Sequence, residues 1–459
     1  MTRRVFLWRS RIAAPAEEVY RWHARQGAFA RLNPPWDPAI VEAVTGGIED
    51  AGARVVLRVG PARQRWVAEH YGAVAGREFH DRQVSGPFAH WEHRHRMTPE
   101  DPGACTLEDH IEYALPASKA GDLLGGRFVR GILRRMFAYR HRVTADDLAA
   151  HAACRGGRAM KVAITGASGL VGSALSPFLS TGGHQVVHLV RRAPASRGEA
   201  RWDPAAGAVD PSVLEGVDAV VHLAGENVAE GRWTEAKKAR LRTSRLGPTR
   251  RLAETLAGLG RRPRVMISAS AIGYYGDCGE RWVCETDPPA DDFLGRLAAE
   301  WEAATEPAAE AGVRVVNLRT GIVLSPAGGA LGKMLMPFEA GLGGVVGPGT
   351  QYMSWVALDD LLGMIHHALD RPDLAGPLNA TSPNPVRNAE FTKILGRVLG
   401  RPTIARVPAF VLRLAFGEMA EATLLASTRV RPERLQATGY GFRFPDLEGA
   451  LRHVLGRTA

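Results

Sequence analysis

Two patterns of apolar and polar positions divide the chain. Residues 1–148 carry short runs that alternate, whereas residues 160–404 carry continuous β-branched runs separated by stretches of helical spacing. The first block opens with a strand at Phe6–Ile12. Pro15 then starts a helix, and Glu17 and Glu18 fall in its first turn, where the helix dipole favours acid. Strands are predicted near Ile40–Val44, Arg54–Val59, Trp66–Tyr71, Glu78–Val84, Ala89–Met97 and Cys105–Ala114, with Gly-, Pro- and Asp-rich turns between them. A closing helix is predicted over Asp122–Val143, because Phe128, Val129, Ile132, Leu133, Met136 and Phe137 recur at helical spacing.

The stretch 149–159 is small and polar and reads as a linker. Beyond it come strands at Val162–Ile164, Val186–Val190, Ala219–Leu223, Val265–Ala269 and Val313–Leu318. Helical regions fall at Leu170–Leu179, at Thr234–Gly258 (broken near Gly247-Pro248) and at Phe293–Ala311. Strands that are apolar throughout, joined by helical crossovers, imply a doubly wound parallel sheet covered on both faces. The fold class is therefore an α/β Rossmann-type domain over 160–404, preceded by an α+β domain.

Residues 161–172, Lys-Val-Ala-Ile-Thr-Gly-Ala-Ser-Gly-Leu-Val-Gly, give a strand, a glycine turn and a helix start. Gly166, Ala167, Ser168, Gly169, Leu170, Val171 and Gly172 are expected to cradle a pyrophosphate, since glycines let it approach and free backbone N–H groups attract it. Arg191 and Arg192 follow the second strand, where an acid would hold the ribose of NAD; a cation there favours the 2′-phosphate of NADP. Leu223, Ala224 and Gly225 end the next strand, and small residues there let the adenosine side pass close to the backbone. Ser268 and Ser270 lie on the strand after that, followed by Tyr274 and Tyr275. Hydroxyls at strand C-termini sit at the ligand crevice of such sheets, so Tyr275, Ser270 and Tyr274 are the candidate proton-transfer groups. Arg319, at the end of Val313–Leu318, could orient an anion or lower a tyrosine pKa. Each has a plainer reading: Tyr274 in packing, Ser270 capping a turn, Arg319 in an ion pair. Asp359-Asp360 opens an apolar helix and reads as a cap. Gly341–Gly349 reads as a loop over the substrate side.

These motifs resemble the extended short-chain dehydrogenase/reductases, in the branch of epimerase-family, nucleoside-diphosphate-sugar-epimerase-like proteins. The resemblance is carried by Thr165–Gly172, His222–Gly225, Ser268–Gly276, Asp291–Glu302, Leu318–Leu324, Ser354–Asp360 and Gly376–Pro383. It continues through the tail from about Val407 through Arg429–Leu435 to Tyr440, which is similar to a C-terminal domain of unknown function in that branch and implies a small helical domain over 405–459. The opening strand, the Ala-Pro-Ala-Glu-Glu-Val-Tyr helix start and the closing helix resemble the START-like, or polyketide cyclase, helix-grip fold, which implies an N-terminal cavity for an apolar ligand. The resemblance implies NADP binding and an oxidoreductase acting on a carbonyl of a small or apolar substrate. A sugar-nucleotide epimerase and a non-catalytic NADP-binding sensor remain alternatives. The family's usual Tyr-x-x-x-Lys pair is missing, because none of the eight tyrosines has a lysine four residues on.

Composition narrows partners more than chemistry. The net charge is +10, and only six of the 58 basic residues are Lys. Arg is scattered along the chain, which argues for solvated surfaces over nucleic acid. Arg127, Arg130, Arg134, Arg135, Arg140 and Arg142 cluster on the closing helix. They could face a membrane or a partner, but the plainer reading is a core helix with a solvated face. Four cysteines with no C-x-x-C spacing point to free thiols, and no metal site is read from spacing. No apolar run reaches bilayer length, and Arg9 and Arg11 interrupt the N-terminus, so a cytoplasmic protein is expected. Oligomeric state is not legible.

Overall fold

The computed structural model describes residues 3–457 apart from 61, 117–118, 155–157 and 205–207. The chain forms two compact units, one built on residues 1–157 and one on residues 158–454, with Ser180–Gly183 and the last five residues grouped with the first.

In the first unit, strands β1 (Arg4–Ile12), β2 (Ile40–Val44), β3 (Arg54–Val59), β4 (Gln64–Val74), β5 (Glu78–Ser85), β6 (His90–Asp101) and β7 (Ala104–Ala114) make one antiparallel sheet. Its order is β1-β7-β6-β5-β4-β3-β2. Helices α1 (Ala16–Ala24) and α2 (Ala28–Leu32) join β1 to β2, and α3 (Lys119–Ala152) closes the unit. Two apolar clusters hold helices to sheet. Val19, Tyr20 and Trp22 of α1 pack with Phe79, Met97 and Leu107. Leu133 and Phe137 of α3 pack with Phe6, Trp91 and Ile111. The α3 stripe is narrower than the sequence suggests, for Phe128 is 70% exposed. At about 100° per residue it lies about 140° around the helix from Leu133. Arg127, Arg130 and Arg134 occupy that outer side. Between sheet and helices a space of about 10 Å³ is lined by His23, His95, Asp109, Arg140 and His141 together with Leu32, Leu107 and Phe137.

The second unit is built on an eight-stranded sheet. Seven strands are parallel, in the order β10 (Glu199–Asp203), β9 (Gln185–Val190), β8 (Lys161–Thr165), β12 (Ala219–His222), β13 (Val265–Ala271), Arg314–Thr320 and Gly376–Ala380; β11 (Ala208–Val209) pairs antiparallel at the β10 edge. The chain starts in the middle, runs one way through β9 and β10, and returns to the other side of β8. That reversal places a topological switch point, and hence a ligand crevice, between β8 and β12. Helix α4 (Leu170–Thr181) follows β8 directly.

Four sequence readings are adjusted. The Thr234–Gly258 region divides into helices Glu235–Thr243 and Leu246–Ala257, so the break precedes Gly247-Pro248. Pro248 falls in the first turn of the second helix, where a missing N–H is tolerated. Phe293–Ala311 divides likewise into Phe293–Ala303 and Glu306–Glu310, with Pro307 at the restart. The Gly341–Gly349 loop contains a short strand, Gly344–Val346, paired in parallel with Ala405–Val407. The start of the tail therefore pairs within the second unit. Asp359 and Asp360 do not cap their helix. Asp360 accepts from the backbone N–H of Arg443 and Phe444 at 2.8 and 2.9 Å, and Asp359 meets His453 at 2.8 Å, so the pair anchors the tail. The four cysteines are free. Among the described residues no helix is long and apolar enough to cross a membrane.

Candidate functional site

The crevice is built around glycines that nothing larger could replace. Gly166 has φ +69°, and a Cβ there would meet the backbone of Leu223 and Ala224 at 2.9 Å. A Cβ on Gly172 would lie 2.3 Å from the carbonyl oxygen of Gly166 and 2.8 Å from Ala167 Cα. The turn from Gly166 to Gly172, carrying Ala167, Ser168, Gly169, Leu170 and Val171, thus lies against Leu223–Gly225 with the N-terminus of α4 above it. Thr165 Oγ1 ties the two strand ends together, accepting from Leu223 and Ala224 N–H at 3.1 and 3.3 Å. Thr165 Oγ1 also lies 2.7 Å from His222 Nδ1, and His222 Nε2 lies 2.9 Å from Thr249 Oγ1. Burial pulls the His222 imidazole from the ordinary 6.5 to about 4, so it is neutral at pH 7.

At the end of β9 the two arginines part company. Glu199 takes Arg192 in a two-point ion pair at 2.5 and 2.8 Å, and the Arg192 hydrogen bond holds the Glu199 carboxyl below its usual range. Arg191 is exposed and has no ion-pair partner among the described residues.

The catalytic candidates fall into lateral rows of the sheet. Register places Thr165, His222, Ser268 and Asn317 side by side, and two residues further along it places Ser270, Arg319 and Asn379. Parallel partners point to the same face, so each row is a set of neighbours. In the outer row Arg319 donates twice to Glu302, at 2.8 Å each, and once to the Tyr275 hydroxyl at 2.9 Å. Tyr275 donates to Asn379 Oδ1 at 2.7 Å, and Ser270 donates to Glu302 Oε1 at 2.7 Å. Burial pushes the Tyr275 phenol well up, beyond what the adjacent guanidinium offsets. Burial opposes the charge on Arg319, and Glu302 more than reverses it. The structure thus unites Tyr275, Ser270 and Arg319, but as a closed, buried network, with Tyr275 and Ser270 each 4% exposed. Arg319 is engaged by Glu302 and Tyr275. Tyr274 stays half-buried, its ring 3.4 Å beneath the Arg319 guanidinium. In the inner row Ser268 Oγ is fully buried and has no hydrogen-bond partner, and Asn317 Oδ1 beside it also lacks one. Orphaned buried polar atoms of this kind ask for a ligand or water. With the glycine cradle, they make this crevice fit a dinucleotide.

Comparison with known proteins agrees. An epimerase family protein of Mycobacterium bovis is 46% identical over 296 residues, spanning 64% of this chain and 98% of its own length. The chain belongs to the NAD-dependent epimerase/dehydratase family. The family's profile matches residues 162–380, that of polyketide cyclase/dehydrase and lipid transport matches 12–138, and a domain of unknown function, DUF1731, matches 407–454. The human epimerase family protein SDR39U1 is 37% identical over 299 residues, covering 64% of this chain and all of the human one. Its crystal structure with NADPH superposes with a TM-score of 0.61 at 35% identity, over 65% of this chain. A nucleoside-diphosphate sugar epimerase from Corynebacterium glutamicum covers 98% of this chain and 90% of its own, with a TM-score of 0.81 at 35% identity. The helix-grip unit and the epimerase-family unit therefore occur together in that protein too.

In this family member Glu302 and Asn379 were not singled out from sequence. Both belong to motifs quoted there, the Asp291–Glu302 run and the Gly376–Pro383 run, but their convergence on Arg319 needs the strand register. Glu285 was missed as well. Its Oε1 accepts from Asn379 and Arg434 N–H, and burial raises its carboxyl pKa.

Proposed function

We propose that the second unit is an NADPH-dependent oxidoreductase that reduces a carbonyl of a small or apolar substrate. The observation that carries this reading is the unpaired Arg191 at the end of β9, beside a glycine turn with no room for a side chain. Gly166 and Gly172 let a pyrophosphate reach the α4 N-terminus, and Arg191 meets the 2′-phosphate that distinguishes NADPH from NADH. The human relative described with NADPH supports this choice. When bound, NADPH supplies the hydride that reaches the carbonyl carbon.

The proton comes from Tyr274. Of the two adjacent tyrosines it alone retains exposure, while Tyr275 is committed to Arg319 and Asn379. Arg319, clamped by Glu302, lies over the Tyr274 ring and fixes its position as the proton passes to the carbonyl oxygen. Arg319 takes the place of the absent lysine as the fixed cation beside the proton donor. Water then restores the phenol.

The test is calorimetric titration with NADPH and NADH, followed by NADPH consumption over a carbonyl panel. A lost phosphate contact is worth about tenfold or more in NADPH affinity, so Arg191→Ala weakens NADPH by that factor and leaves NADH unchanged. Tyr274→Phe lowers turnover by about 100-fold. Equal affinity for both nucleotides, or full turnover in Tyr274→Phe, overturns the respective part. The second reading, a sugar-nucleotide epimerase, is favoured by the name of the C. glutamicum protein. It predicts no net NADPH consumption and an oxidised cofactor that survives purification.

A further inference from the structure

The helix-grip unit carries a cluster that the family names do not explain. Three adjacent strands converge on it. Register sets Asp81 of β5 opposite His93 of β6, and His95 of β6 opposite Asp109 of β7. His93 and His95 are two apart and so share one face of the strand, the face covered by α1 and α3. Asp81 Oδ2 lies 3.1 Å from His93 Nδ1 and 3.6 Å from His95 Nε2. One oxygen and two imidazole nitrogens, all within 4.8 Å of each other, thus meet at a point. Donors bonded to one cation at about 2.0–2.2 Å sit about 3.3 Å apart in a tetrahedral arrangement, so the cluster needs shifts of a few tenths of an ångström at most edges to close on an ion.

The far side of each ring supports the same reading. His93 Nε2 and His95 Nδ1, the nitrogens turned away from Asp81, each lie 2.7 Å from Asp109 Oδ1. The opposite oxygen of Asp109 is held by His141 Nε2 at 2.5 Å. Metal-bound imidazoles commonly have their second nitrogen held by a carboxylate, which fixes ring orientation and tautomer. Asp109 is placed to do this for both histidines at once.

We infer that Asp81, His93 and His95 form a binding site for a divalent first-row transition cation of the zinc class, with Asp109 as its outer carboxylate and His141 fixing Asp109. Two imidazoles and one carboxylate suit Zn²⁺, Co²⁺ or Fe²⁺ and not Mg²⁺ or Ca²⁺, which prefer all-oxygen shells. Three protein ligands leave at least one coordination position for a small molecule or water, as in catalytic sites and unlike closed structural ones. The inference concerns the first unit and is independent of the nucleotide reading.

The experiment uses the full chain, stripped with a chelator and titrated with Co²⁺, whose visible absorption reports coordination, then displaced with Zn²⁺. One equivalent per chain is expected, unaffected by excess Mg²⁺. Asp109→Asn weakens Co²⁺ by about 10–100-fold, and Asp81→Asn and His95→Gln weaken it by more. NADPH affinity stays unchanged in all three, which reports that the second unit remains folded. Because a variant of a buried cluster can lose its own unit's fold, the Co²⁺ position is also located by anomalous scattering in crystals of the wild type. Co²⁺ bound by Asp81, His93 and His95 upholds the inference. No uptake by the wild type, uptake insensitive to Asp81→Asn and His95→Gln in folded variants, or an ion located elsewhere overturns it.

Discussion

Glu302→Gln is the change by which the Arg319 network is best measured. In the native protein Arg319 makes two charge-assisted bonds to Glu302 at 2.8 Å, one bond to Tyr275 and a longer one, 3.3 Å, to the Glu285 carbonyl. The Arg319 side chain is 3% exposed and that of Glu302 12%, so neither charge has water to fall back on. Removing one partner of a buried ion pair costs about 3–5 kcal/mol, because the remaining charge is left uncompensated. In either orientation the amide nitrogen of the glutamine faces the guanidinium, because both Glu302 oxygens accept from Arg319, but the glutamine keeps the shape and one acceptor oxygen. The cost therefore falls at the lower end, about 3 kcal/mol.

For a unit of this size that is a fall of about 6 °C in the melting temperature. It is checked by urea unfolding of the second unit, followed by hydrogen exchange of β13 amides so that the first unit does not blur the transition. A double variant, Glu302→Leu with Arg319→Met, replaces both charges by apolar groups of similar volume. It is expected to be less destabilised than the sum of its singles by about 2–3 kcal/mol. A loss below about 1 kcal/mol in Glu302→Gln, or an additive double variant, would refute the view that this pair is a tightly coupled scaffold for Tyr274 and Tyr275.

Two further outcomes are expected. Gly172→Ala adds a methyl 2.3 Å from the Gly166 carbonyl oxygen, a backbone atom that cannot swing aside, so the turn must open; the melting temperature falls, because overpacking of about 1–3 kcal/mol exceeds what alanine returns in helix propensity, and NADPH affinity falls by about 10-fold or more in calorimetric titration because the opened turn no longer fits the pyrophosphate. His222, neutral in the folded state with a pKa of about 4 against the ordinary 6.5, takes up a proton first in the unfolded chain as pH falls. Stability is therefore unaffected by this group above about pH 6.5 and is lost between pH 6.5 and 4, by up to about 3 kcal/mol; His222→Gln should flatten that part of the urea-midpoint-versus-pH curve, and an unchanged slope would show that the imidazole is not the group responsible.

Much of the architecture was legible along the chain. The continuous apolar runs of Val162–Ile164, Ala219–Leu223 and Val265–Ala269 can only be buried parallel strands, and the spacing of Gly166, Gly169 and Gly172 marks the turn between the first of them and α4. These are local signals, decided within a dozen residues by backbone sterics and burial. Helix ends were less legible, since proline at Pro248 and Pro307 marks both a break and a permitted first turn, and only packing chooses between them. Arg191 and Arg192 look alike in sequence. They differ because β10 brings Glu199 beside one of them, and that strand pairing is a long-range event.

The same cause hid both polar clusters. Ser270, Arg319 and Asn379 are separated by 49 and 60 positions, yet parallel register sets them shoulder to shoulder; Asp81, His93, His95 and Asp109 meet because three antiparallel strands share one register. Spacing along a chain reveals a site when its residues lie on one turn or one helix face. It is silent when they form a row across a sheet, because a one-residue slip in any strand would turn that side chain to the other face and dissolve the row. The inward alternation of Trp91, His93, His95 and Met97 was the single local sign available: polar residues where the pattern demands apolar ones. Burying histidines at such positions costs free energy unless each finds a partner. Strands that spend this on one face, with carboxylates opposite, are shaped by something other than the stability of the sheet.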